Sequence, residues 1–254
     1  MTAALPRPTE LAQSILQAAI RAGDTVIDAT AGHGHDTVFL AACVGPGGRV
    51  LAFDVQQPAI ASARAKLAAT GLASRVEFHQ TSHAGMARHA AAGTVAAVMF
   101  NFGYLPGADH ELTTTAPETL AALDAAAGLL RPGGILSLIC YPGHPAGAAE
   151  ARAVEAWLDA MTTRGWKAAK YAMLGTLRPA PFLLVARTAR DRWSPDQENI
   201  EEKPQDHQPA EDHERPPREP GAGRAQHQAV GHRRQQDDQM TGQCRQQAAN
   251  HPGC

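Results

Sequence analysis

Asp28, Gly32, Gly34 and Asp54 are the residues whose types and spacing most directly imply chemistry. The stretch V-I-D-A-T-A-G-H-G-H-D (Val26–Asp36) passes from an apolar run into a small, glycine-bearing turn and then toward a helix. Glycines in such a turn let the backbone bend sharply and let a ligand approach where a Cβ would block it. The N–H groups that open the following helix then face that ligand. Asp54 ends a second apolar run, placed where a carboxylate accepts hydrogen bonds from both hydroxyls of a ribose. A dinucleotide fingerprint needs a third glycine where this chain has Thr37, and a phosphate loop needs a Gly-Lys pair, which is missing here. An acid closing the first strand and a short G-x-G turn suit S-adenosylmethionine, which lacks a pyrophosphate but carries an ammonium that a carboxylate can hold. Thr30, His33 and Asp36 complete this cofactor corner, and Gln56 follows Asp54.

Asn101-Phe102-Gly103-Tyr104 is the second informative stretch. It is similar to the N-P-P-Y type motif of amino-directed methyltransferases, with Phe-Gly in place of Pro-Pro. Methyl transfer from a sulfonium to an amine builds positive charge on the nitrogen. An asparagine oxygen that accepts from the amine stabilises that charge and aims the lone pair, while an aromatic such as Tyr104 can stack on a base. A loop asparagine capping a turn, with the tyrosine packed over it, is the plainer alternative. Ser82 and His83, after the third strand, read with His33 as further walls of the cofactor pocket. The remaining histidines show no H-E-x-x-H or C-x-x-C spacing, so no metal is expected. His35 and Asp36 read as a local cap of the helix they open. Cys43 and Cys140 should be buried, which leaves no nucleophile for carbon-5 methylation of a pyrimidine.

The elements that would position these groups alternate. Amphipathic spacing predicts a helix over Thr9–Arg21, then a strand ending on Asp28 and a helix over His35–Cys43. A strand at Arg49–Asp54, a helix at Pro58–Thr70 and a short strand at Val76–His79 follow. Thr94–Phe100 reads as a strand buried on both faces. A helix from about Ala116 to Leu130, a turn through Arg131-Pro-Gly-Gly and a strand at Ile135–Cys140 come next. A helix at Ala148–Arg164 precedes two strands at about Lys167–Met173 and Pro181–Ala186. The pattern implies an α/β fold, a doubly wound, Rossmann-like seven-stranded sheet of the class I methyltransferase type, closed by a terminal β-hairpin.

Composition divides the chain. Residues 1–190 carry the elements, whereas 191–254 are almost free of aliphatic side chains and rich in Gln, Pro, Glu, Asp, Arg and His. Such a tail cannot bury enough apolar surface to offset its ordering entropy, so a disordered, low-complexity extension is expected. The overall charge of −2 divides into about +2 for the first part and −4 for the tail. Four cysteines without a pairing pattern, no apolar leader and no membrane-length run imply a reduced, cytoplasmic protein. The sequence sets no oligomeric state, a homodimer included.

Five segments in order match a known pattern: D-A-T-A-G-H-G-H-D-T-V-F-L-A (Asp28–Ala41), A-F-D-V-Q (Ala52–Gln56), Ser82-His83, F-N-F-G-Y-L-P-G (Phe100–Gly107) and Y-P-G-H-P-A-G-A-A-E (Tyr141–Glu150). Over about residues 9–188 the chain resembles the bacterial rRNA methylase family, linked to tRNA 5-aminomethyluridine methyltransferase activity. His33 departs from that pattern, standing where the family usually has Asn. The resemblance implies S-adenosylmethionine as cofactor and an RNA substrate, most concretely the aminomethyl nitrogen on wobble uridine 34, in the anticodon region of tRNA. A primary amine must lose a proton before it attacks, and Asp36 or Asp109 is a candidate acceptor. Methylation of rRNA or of a small amine, or a non-catalytic RNA-binding relic, are the alternatives.

Overall fold

The structure, a computed structural model, describes residues 5–102, 116–143 and 145–189. The expected tail, 191–254, lies outside the described residues, as do Tyr104, Asp109 and His144.

Seven strands form one sheet: β1 (Thr25–Asp28), β2 (Arg49–Asp54), β3 (Val76–Gln80), β4 (Val95–Asn101), β5 (Leu130–Cys140), β6 (Lys167–Ala172) and β7 (Phe182–Arg187). Their spatial order is β3-β2-β1-β4-β5-β7-β6. β1 to β5 run parallel, and β7 pairs antiparallel with both β5 and β6. The expected doubly wound sheet with its terminal hairpin is therefore present.

Alternate residues of the central strands enter two cores. Ile27, Val98 and Phe100 face one side with Ala122 and Leu123 of α4 (Ala116–Leu129) and Val154 and Leu158 of α5 (Pro145–Thr162). Val26, Ala97 and Met99 face the other with Leu16 of α1 (Pro8–Ala19), Leu40 of α2 (His35–Val44) and Leu67 of α3 (Gln57–Thr70). Both faces are covered, which is why β4 reads as an unbroken apolar run.

Several boundaries differ from the sequence reading, and three of the differences have a local reason. α1 stops at Ala19 because Ile20 turns extended and the Asp24 carboxylate accepts the N–H of Arg21. α5 begins at Pro145, three residues early, a position where the missing proline N–H costs nothing. Arg131-Pro-Gly-Gly is not a turn before β5 but part of it. Leu130 pairs with Val95, and the register then shifts before Ala97 meets Ile135. Gly134 makes that bulge possible, since a Cβ there would lie 2.8 Å from the Arg131 carbonyl oxygen. The Arg131 guanidinium grips both oxygens of Asp24 at 2.6 and 3.0 Å, tying the start of β5 to the approach to β1.

Candidate functional site

The corner after β1 is held from three sides. The Ala29 N–H donates to the Met99 carbonyl of β4, and the Ala31 N–H to the Phe53 carbonyl of β2. Gly34 then opens α2 at φ +79°, and a Cβ on it would stand 2.7 Å from Ala63 of α3. This position demands glycine both for its backbone and for its space. The side chains of His35 and Asp36 do not cap the helix as expected, because the capping residue is Gly34 itself. His35 instead lies beside Lys66, and burial followed by that ammonium holds its imidazole below the ordinary range.

Three carboxylates converge on the corner. Asp28 is fully buried, accepting the Thr37 hydroxyl at 2.6 Å and the Thr30 N–H at 3.2 Å. Burial, and next the charge of Asp36, push its carboxyl up to about 7. Asp54 accepts the Gly32 N–H at 2.9 Å on one oxygen and the Gln56 N–H at 2.9 Å on the other. It thereby locks the glycine turn to the end of β2, and each oxygen keeps a further lone pair. Asp36 reaches across: one oxygen accepts Gln13 Nε2 of α1 at 2.7 Å, the other Asn101 Nδ2 at 2.8 Å.

That last contact fixes an orientation. Only the amide nitrogen can donate to a carboxylate, so Asn101 turns Nδ2 to Asp36 and directs Oδ1 away. Asn101 Oδ1 is buried and has no hydrogen-bond partner among the described residues. The Asn101 N–H donates to Thr30 Oγ1 at 2.8 Å, binding the end of β4 to the corner. His83 is similarly placed. Its Nδ1 lies 3.2 Å from the Ala29 carbonyl oxygen, so that nitrogen carries the proton, and buried Nε2 has no partner among the described residues. Burial holds the ring below its ordinary range and therefore neutral. Its neighbour Ser82 donates to Glu118 of α4 and accepts the Ala84 N–H.

Asp28, Thr30, Gly32, Gly34, Asp36, Asp54, Gln56, His83 and Asn101 thus gather at the carboxyl ends of the parallel strands, where open α/β sheets bind ligands. Tyr141 joins them, its phenol raised first by burial and then by Asp36. His33 is exposed and faces Ser62 of α3 at 3.4 Å. Tyr104 lies outside the described residues. Gln13 and Glu118 escaped the sequence reading; a polar residue beside the buried Ala12 and Leu16 of α1 was the available signal for Gln13. Cys140 is buried, its thiol pushed up to about 12 chiefly by burial, whereas Cys43 is half-buried rather than buried as expected.

The corner fits S-adenosylmethionine. Asp54 has lone pairs to spare at the end of β2, a Cβ at Gly34 would meet Ala63, and the carboxylates of Asp28, Asp36 and Asp54 give the corner a negative lining for a cofactor that carries positive charge. Among known proteins, residues 50–187 match the family described as Putative rRNA methylase. A putative rRNA-methylase from Clostridium thermocellum is 34% identical, with a TM-score of 0.70, over 73% of this chain and 99% of that one. A methyltransferase from Streptococcus mutans, solved in complex with SAH, is 30% identical with a TM-score of 0.66, covering 72% and 99%. The tRNA (mnm(5)s(2)U34)-methyltransferase, chloroplastic, of Arabidopsis thaliana is 38% identical over 194 residues, 73% of this chain and 70% of that protein. No described helix is long and apolar enough to cross a membrane. A glycine corner braced by β2 and β4, an acid at the ends of β1 and β2 and a match over more than half the chain together place it: the chain belongs to the Putative rRNA methylase family.

Proposed function

We propose that this chain, an S-adenosylmethionine-dependent methyltransferase by family, acts on RNA and methylates the aminomethyl nitrogen on wobble uridine 34 of tRNA. The observation that carries the reading is Asn101 Oδ1, a buried acceptor without a partner among the described residues, fixed in direction by Asp36. An amine supplies the donor that this oxygen lacks; a hydroxyl or ring carbon matches it less well, because an amine keeps an N–H to donate while its lone pair attacks.

In this reading Asp54 and Gln56 hold the ribose side of the cofactor, and Asp28, Thr30, Gly32, His33 and Gly34 floor its methionine side. Ser82 and His83 form the wall toward α4. When bound, the cofactor supplies an electrophilic methyl group. Asn101 orients the amine for in-line attack by its own lone pair, with no covalent bond to the enzyme. Asp36, a candidate proton acceptor in the sequence, has both oxygens engaged by amides, and we assign it the positioning of Asn101. Tyr104, three residues on in the sequence, is the aromatic we assign to the base.

Mass spectrometry of tRNA nucleosides from a deletion strain tests this. Restoring the gene should return the methylated nucleoside. Asn101→Ala should accumulate the aminomethyl precursor, with kcat reduced by roughly 10²–10³ and cofactor affinity little changed. Cys140→Ala should keep turnover. Loss of a methyl from rRNA alone, or no change in either RNA, would remove the wobble assignment.

A further inference from the structure

Glu77, His79 and His89 lie outside the corner, and none of them has a part in the reading above. Glu77 and His79 are two apart on β3, so both point to one face of an edge strand. His89 ends the 3₁₀ segment His83–Arg88, its N–H donating to the Met86 carbonyl. The His79 ring stacks on Phe53 of β2 at 4.8 Å, and the His89 ring meets Phe53 edge-on at 5.4 Å. The two imidazoles are 3.9 Å apart, centroid to centroid. One ligand-capable atom from each of the three residues lies within 4.8 Å of the others. His79 Nε2 is buried with no hydrogen bond among the described residues, 3.3 Å from Glu77 Oε1.

We propose that Glu77, His79 and His89 form a binding site for a divalent transition-metal ion of the zinc class, clipping the 3₁₀ segment to the edge strand. Zn–N and Zn–O bonds of about 2.0–2.2 Å at a tetrahedral angle put two donors about 3.4 Å apart, close to the His79–Glu77 separation. Two imidazoles and a carboxylate are a zinc-type donor set, with water completing four-coordination. Exposed Glu77 has the rotational freedom to close the remaining distance. Phe53 supplies an apolar wall that holds both rings. Arg49, 3.8 Å from the other Glu77 oxygen, opposes the ion: its charge competes for that carboxylate. The clip would fix the segment that carries His83, so it steadies the corner without touching the reacting groups. Sequence spacing hid the site, because its ligands come from a strand and from a turn ten residues later.

The test uses the full chain, stripped with chelator and titrated with Zn²⁺ and separately with Co²⁺. Wild-type protein should show one tight equivalent and a Co²⁺ visible spectrum without the thiolate charge-transfer band that Cys43 or Cys140 would give. Glu77→Gln and His89→Gln should each weaken that site by more than roughly 100-fold, beyond the roughly 10–100-fold that loss of an outer-shell partner costs. Far-UV circular dichroism of both variants should match wild type, showing that they fold. Arg49→Gln should tighten binding, an effect that stray histidine coordination cannot produce. Equal Zn²⁺ affinity in wild type and both Gln variants, a thiolate band, or no tight equivalent in wild type would overturn the proposal.

Discussion

Replacing Asp28 with asparagine should flatten the pH dependence of folding stability between about pH 4 and pH 7. The Asp28 carboxyl is fully buried, and burial with the nearby Asp36 charge pushes it up to about 7 from an ordinary 3.8. Across that window the folded chain holds a proton that the unfolded chain has released. The stabilisation is complete below the unfolded value and is lost as the pH rises through about 7. A shift of about three units is worth about 4 kcal/mol. Asparagine should fit: its oxygen can accept the Thr30 N–H while its amide donates to a rotated Thr37 hydroxyl. Urea unfolding followed by circular dichroism at pH 4.5, 6 and 7.5 reads the difference. About 3 kcal/mol of this falls between pH 4.5 and 7.5, so with a slope of about 2 kcal/mol/M the wild-type midpoint should fall by about 1.5 M relative to the variant. Taking the difference cancels the other titrating groups. Parallel curves for the two proteins would refute an uncomfortable Asp28 charge.

Other expectations concern the corner and the chain's division. Asp54→Ala should weaken S-adenosylmethionine binding at least tenfold by calorimetry, since each charge-assisted hydrogen bond lost is worth roughly 1.5–3 kcal/mol; unchanged affinity would exclude the ribose role. Gly34→Ala combines a left-handed backbone with overlap on Ala63, costing about 2–4 kcal/mol. In a thermal melt that should lower the midpoint by roughly 5–15 °C. We propose a boundary near residue 190, so limited proteolysis should leave a resistant core of about residues 5–188; a resistant fragment reaching Cys254 would contradict it.

The sheet was legible because its strands announce themselves. β1, β2 and β4 are covered on both faces, so each shows as an apolar run, and Asp28 and Asp54 marked the carboxyl ends of β1 and β2. What stayed hidden depends on contacts between distant elements. No local pattern says that Gln13 on α1 reaches Asp36, or that Asp36 turns the Asn101 oxygen outward. Arg131-Pro-Gly-Gly carries the residues of a turn, and only the bulge against β4 and the Asp24 grip make it strand. Asp28 looked like a direct ligand for an ammonium, yet its depth and its threonine partners place it beneath the turn. Glu77, His79 and His89 come together only because β3 lies beside β2 and the 3₁₀ segment folds back over Phe53.

The placement of β7 also constrains how the protein can be made. β7 is the final described strand in the chain, but it sits inside the sheet, between β5 and β6. A nascent chain therefore presents an open, apolar β5 border until Phe182–Arg187 has been synthesised. Forty-seven residues separate Cys140 from Arg187. At roughly 5–20 residues per second, that border waits roughly 2–9 s for its neighbour, a window in which another strand can take its place. A premature stop between Ala172 and Phe182 removes more than a marginal ribbon: it leaves β6 without the strand it pairs with and β5 with an open border.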